Sequence, residues 1–93
     1  MLEEKYYDIR ITETKKYRLF KEDIDARELM WHHDEYDRKI LVIGGIGWKI
    51  QFDDELPIDM NIGTEIEILN HKFHRILKGR DNLIIRIVEI NKN

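Results

Sequence analysis

The chain contains no cysteine, no serine and one proline, Pro57, in 93 residues. Without cysteine there is no disulfide framework and no thiolate to hold a metal or attack a substrate, and a cytoplasmic location is expected. Thr12, Thr14 and Thr64 are the only side-chain alcohols outside tyrosine, and each sits in a plain strand or turn context. Nucleophilic catalysis by a hydroxyl therefore has no candidate. No apolar run approaches the roughly 18 residues of a membrane span, and the acidic, polar beginning is no signal peptide, so no membrane partner is expected. An excess of positive charge is also missing. The formal net charge is −3, whereas non-specific duplex binding needs many lysines and arginines to displace counterions, so duplex nucleic acid is not an expected partner. The glycines at 44, 45 and 47 precede neither a helical pattern nor a Lys-Ser/Thr pair, which rules out a phosphate loop.

What the sequence does have is apolar residues at the period of a strand. Tyr7, Ile9 and Ile11 alternate with Tyr6, Asp8 and Arg10, predicting a first strand over 6–12. A charged turn leads to a second at 17–20. Residues 28–33 fit strand spacing through Leu29, Trp31 and His33, although Ala26, Arg27, Glu28, Leu29 and Met30 individually favour helix. The unbroken Ile40, Leu41, Val42, Ile43 run predicts a strand covered on both faces. Ile46, Trp48, Ile50 and Phe52 then share one face of an amphipathic strand, opposite Lys49, Gln51 and Asp53. After a turn at 53–57 comes a short edge piece at 58–62. The last three strands are expected at 63–68, 73–77 and 83–90, with 78–82 as the hairpin joining the final two. Eight or so short strands with regular turn signals predict an all-β sandwich or small barrel, one domain over 1–93. A chain this short buries only about 60–65 % of its unfolded surface, so the core is modest and self-association would help it.

Gly63, Leu69, His71, His74 and Lys78 have the spacing of the second conserved motif of the cupins, small barrels of the double-stranded β-helix (jelly-roll) type. The stretch from Trp31 to Gly45 resembles the first motif, with His33 in the place of its second histidine and Trp31 in the place of its first. The acidic position falls on Asp37 if Gly44 is the motif glycine, and on Arg38 if Gly45 is. Trp31-His32, Asp37-Arg38, Gly47-Trp48, Gln51-Phe52, Leu56-Pro57, His74-Arg75 and Lys78-Gly79 are also similar to a group of short cupin-like proteins of phage genomes.

The resemblance implies a small single-domain cupin-like barrel and two classes of function. In the first, the protein is a non-catalytic pocket that sequesters a small anionic ligand, such as a nucleotide-type signal of host immunity, in a host cytoplasm. Aromatic faces stack on planar rings while arginine and lysine meet phosphates. The ligand-binding residues are then Trp31, His33, Tyr36, Arg38, Trp48, His74, Arg75 and Lys78, with no cofactor. Trp48 shares its face with Ile46, Ile50 and Phe52, so a core role competes with a binding one. In the second, the protein is a metal-dependent oxygenase or isomerase, since catalytic cupins hold a divalent transition metal through histidines and a carboxylate. Its ligands would be His33, Asp37 and His74, with His32 as a further candidate. Adjacent His32 and His33 point to opposite faces of a strand, so both cannot readily serve one ion. His32 and His71 are accordingly expected in solvent. A homodimer or larger assembly is expected in either case, because exposed strand edges in so small a domain are commonly paired between subunits.

Overall fold

A computed structural model describes residues 6–25 and 29–90. Among them the regular structure is entirely β: β1 (Tyr7–Arg10), β2 (Lys15–Phe20), β3 (Asp37–Ile46), β4 (Lys49–Phe52), β5 (Ile58–Asp59), β6 (Glu65–Ile68), β7 (His74–Leu77) and β8 (Arg80–Ile90). They form a five-stranded antiparallel sheet ordered β1-β2-β8-β3-β6 and a three-stranded antiparallel sheet ordered β5-β4-β7. The all-β architecture expected from the period-two pattern is the one observed.

The alternation explains the packing. Leu83, Ile85 and Ile87 of β8, Ile40 and Val42 of β3 and Ile66 and Ile68 of β6 point inward from the large sheet. Trp48, Ile50, Phe52 and Ile76 meet them from the other side. Trp48 is fully buried, and its indole Nε1–H donates to the carbonyls of Arg80 and Asp81 at 3.0 and 3.2 Å. That is the bond a buried indole needs. The core role is therefore the observed one, and the ligand-stacking role expected for Trp48 is corrected.

Four further expectations are corrected by the topology. Residues 29–33 make no strand, only an isolated antiparallel bridge between His32 and His74; position 28 of the expected strand lies outside the described residues. β3 is covered on one face alone, since Ile43 is well exposed while Ile40 and Val42 are buried. Ile46 ends β3 half-exposed, apart from Trp48, because Gly47 turns the chain between them at φ 80°, a conformation that favours glycine. Residues 78–82 are not a hairpin: β7 pairs with β4 in the small sheet, and β8 with β2 and β3 in the large one. Gly79 lies in that crossing, where a Cβ would collide with the backbone of Gly47 and its neighbours.

The second strand carries the least expected feature. Its inward positions are Lys16, Arg18 and Phe20, so two cations face the barrel interior. Asp8 on β1 answers both, through a two-pronged bond to Arg18 at 2.7 and 2.9 Å and a contact to Lys16 Nζ at 3.6 Å.

Candidate functional site

Between the two sheets lies a cavity of about 350 Å³, at the small end of the roughly 300–1,000 Å³ of ligand pockets. Phe20, Leu29 and the isoleucines 40, 50, 68, 76, 85 and 87 give it an apolar wall. At its polar end stand His32, Asp34, Arg38 and His74, with Arg18 and Tyr6 nearby and Met30 and Trp31 at the rim.

The polar end is built by the His32–His74 bridge. Each of these residues gives its backbone N–H to the other's carbonyl, at 3.0 and 2.9 Å, which sets the two rings side by side with centroids 4.3 Å apart. Each ring is turned by the same local device. His32 Nδ1 lies 3.0 Å from the carbonyl of Met30 and His74 Nδ1 lies 3.0 Å from the carbonyl of Lys72, in both cases two residues back. A carbonyl only accepts, so each Nδ1 carries the proton, and the neutral ring keeps its lone pair on Nε2.

Both Nε2 atoms face Asp34. His74 Nε2 is 3.5 Å from Oδ2 and His32 Nε2 is 3.7 Å from Oδ1. Arg38 holds Oδ1 at 3.2 Å with one arm of its guanidinium, and reaches Glu89 at 3.3 Å with the other. Oδ2 is buried without any hydrogen-bond partner, and so is Arg38 Nε in the same cavity lining. Burial holds the His74 imidazole below its ordinary range and the neighbouring His32 and Arg38 push the same way, against support from the Lys72 carbonyl and Asp34. His74 therefore resists taking the proton that would pair it with Asp34.

Two imidazole Nε2 atoms and a carboxylate thus converge. The ligand atoms of His32, Asp34 and His74 all lie within 4.8 Å of one another, a grouping that could hold one metal ion. Two imidazoles and a carboxylate are the ligands of a facial triad, and orientation of each imidazole through its other nitrogen is usual for metal-binding histidines.

The residues expected from sequence fall in several places. His74, Arg38 and Trp31 line the cavity. His33 does not; it is exposed, with its ring against Phe73 at 4.9 Å. Asp37 faces a separate cleft with Tyr36, where it accepts a bond from the Asn70 backbone at 2.9 Å. The trio His33, Asp37, His74 is therefore not brought together, and His32, Asp34, His74 is. Arg75 stacks over Trp31 at 4.7 Å and donates to Gln51 at 3.0 Å, behind the rim rather than in the lining. Lys78 donates to the carbonyl of Ile24 at 2.7 Å. His71 is in solvent as expected, while His32 is half-exposed with its ring edge in the cavity.

Asp34 was overlooked by counting back from the glycines, which selects Asp37. The signal that finds it is simpler. His32 and Asp34 are two apart, and in an extended segment residues i and i+2 share a side.

The arrangement of the sheets is a cupin-like fold. The chain is similar to a cupin-2 domain containing protein from Shewanella frigidimarina, with a TM-score of 0.64 and 19% identity over 92% of this chain and 79% of that one. It is also similar to protein NMB1881 from Neisseria meningitidis, with a TM-score of 0.62 and 16% identity over 92% of this chain and 82% of that one. At such identities the likeness is one of fold. No protein-family model matches the sequence, and no curated protein matches it either.

Proposed function

We propose that this cupin-fold chain is a metal-dependent protein of the oxygenase or isomerase class, holding one divalent transition metal, iron(II) foremost, through His32, Asp34 and His74. The observation that carries the reading is the buried Asp34 carboxylate, its Oδ2 without a hydrogen-bond partner, facing the Nε2 atoms of two imidazoles whose Nδ1 protons are committed to backbone carbonyls. Removing a polar atom from water without a partner costs about 1–3 kcal/mol, and a cation at that point recovers it.

A metal held by His32, Asp34 and His74 would supply a Lewis acid beside the cavity. The chain's own residues do the rest. The Met30 and Lys72 carbonyls fix the rings, Arg38 orients the carboxylate, the apolar wall excludes water, and Trp31 stands where a ligand enters.

A second reading has one observation in its favour: Trp31, half-exposed at the rim and backed by the Arg75 guanidinium, is a ready stacking surface for a planar base. In it the pocket sequesters a nucleotide-type anion and catalyses nothing. It is the weaker reading because its phosphate-binding cations are engaged, Arg38 by Asp34 and Glu89, Arg75 by Gln51, and Lys78 by Ile24.

The test is elemental analysis of protein purified without chelator, beside a thermal-shift screen of metals and nucleotides. One equivalent of transition metal, lost in His74→Ala, supports the first reading. Metal-free protein that no metal stabilises, but that melts higher with nucleotides, supports the second.

A further inference from the structure

We infer that the cavity takes a small carboxylate with an apolar body, a reading that rests on the metal centre proposed above. The argument is one of charge. The described ionic groups that line or back the cavity are Lys16, Arg18 and Arg38 on one side and Asp8, Asp34 and Glu89 on the other. Three cations meet three carboxylates, and the contacts are specific: Arg18 and Lys16 on Asp8, Arg38 across Asp34 and Glu89. Arg10 touches Glu89 at 3.9 Å from the solvent side. Among the described residues, each cation at this cavity is engaged by a carboxylate.

Buried charge is tolerated only when matched. A divalent ion on His32, Asp34 and His74 therefore brings the positive charge that has no partner in the protein. A ligand that completes the site carries negative charge at the atoms that meet the metal, and none elsewhere. Beyond the polar end it meets Phe20, Leu29 and six isoleucines, which take hydrocarbon or an aromatic ring. Arg38 Nε, buried in the lining without a partner, is a donor left over for a second head-group oxygen. A carboxylate on a short apolar body meets each condition. A phosphorylated metabolite fails on its remote charge, and an alcohol fails on having none.

Cobalt(II) is a suitable probe, because its visible spectrum reports its ligands directly. Cobalt(II)-loaded protein would be titrated with phenylacetate, hexanoate, benzyl alcohol and AMP, following the visible band and the melting temperature. Phenylacetate and hexanoate are expected to shift both, with benzyl alcohol and AMP at least tenfold weaker. Leu29→Asp, which puts a charge on the apolar wall, is expected to weaken phenylacetate at least tenfold while leaving the cobalt stoichiometry unchanged. Binding of AMP as tight as phenylacetate, or carboxylates that leave a bound cobalt spectrum unmoved, overturns this inference and leaves the metal centre standing. Cobalt that gives only its aqueous spectrum overturns both.

Discussion

Two clefts of this molecule each place a carboxylate beside histidine and differ in what those side chains have left to do. The outer cleft has Glu35, Tyr36, Asp37, Leu69, Asn70, His71 and Ile90. Its carboxylate takes the Asn70 N–H, and its histidine lies exposed beside the Asn70 amide oxygen at 3.4 Å. The inner cavity has one aspartate and two histidines, and there the rings are locked by backbone carbonyls and one carboxylate oxygen has no hydrogen-bond partner. The presence of a carboxylate beside a histidine does not separate the two. Unspent hydrogen-bonding capacity does, because a buried acceptor that its own protein leaves unpaired is a vacancy for something else.

The largest effect that sharpens this contrast is on metal affinity. Asp34→Asn is expected to weaken metal binding more than 100-fold, while Asp37→Asn in the outer cleft leaves it within about twofold; calorimetry with zinc(II) or cobalt(II) reads both. Next comes Arg38→Lys, which keeps the charge but loses the fork that spans Asp34 and Glu89. Affinity is expected to fall about tenfold, as for other partners that orient a ligand carboxylate. Equal affinity would show that Asp34 needs no such hold.

A third effect concerns pH. Burial lowers the His74 pKa below its ordinary 6.5 in the folded chain, so the unfolded chain takes a proton first as pH falls. The sign follows: metal-free protein loses stability as pH drops below about 6.5, until the folded His74 also titrates. His74→Phe should flatten that limb of a melting-temperature profile. An unchanged profile would remove His74 as its source. The smallest effect is at the rim, where Arg75→Ala should leave metal affinity untouched and cost no more than about 1 kcal/mol, the ordinary worth of an exposed cation on an aromatic face.

The fold was legible because period-two alternation marks both strands and faces. Ile50 and Phe52 on one side of β4, with Trp48 just before it, and Leu83, Ile85 and Ile87 on one side of β8, sit where alternation puts them. Pairing was less legible. The short links after β6 and β7 look like hairpin turns, yet each carries the chain from one sheet to the other, a choice set by distant partners such as β3 and β4 rather than by the turn residues. The site was legible in residue types and misplaced, by one position at the histidine and by three at the aspartate. His32 and His33 are chemically equal, and only the bridge to His74 decides which faces inward. The inward Lys16 and Arg18 had no local signal at all, because their partner Asp8 lies on another strand.

The adjacent histidines also give the most direct test. Metal content would be measured in parallel for the unmodified protein, His32→Ala and His33→Ala, each folded by circular dichroism and incubated with the same equivalent of iron(II) or cobalt(II). One ion per chain in the unmodified protein and in His33→Ala, with none retained by His32→Ala, is the predicted result. Metal kept by His32→Ala and lost by His33→Ala, or absent from all three, would contradict the account.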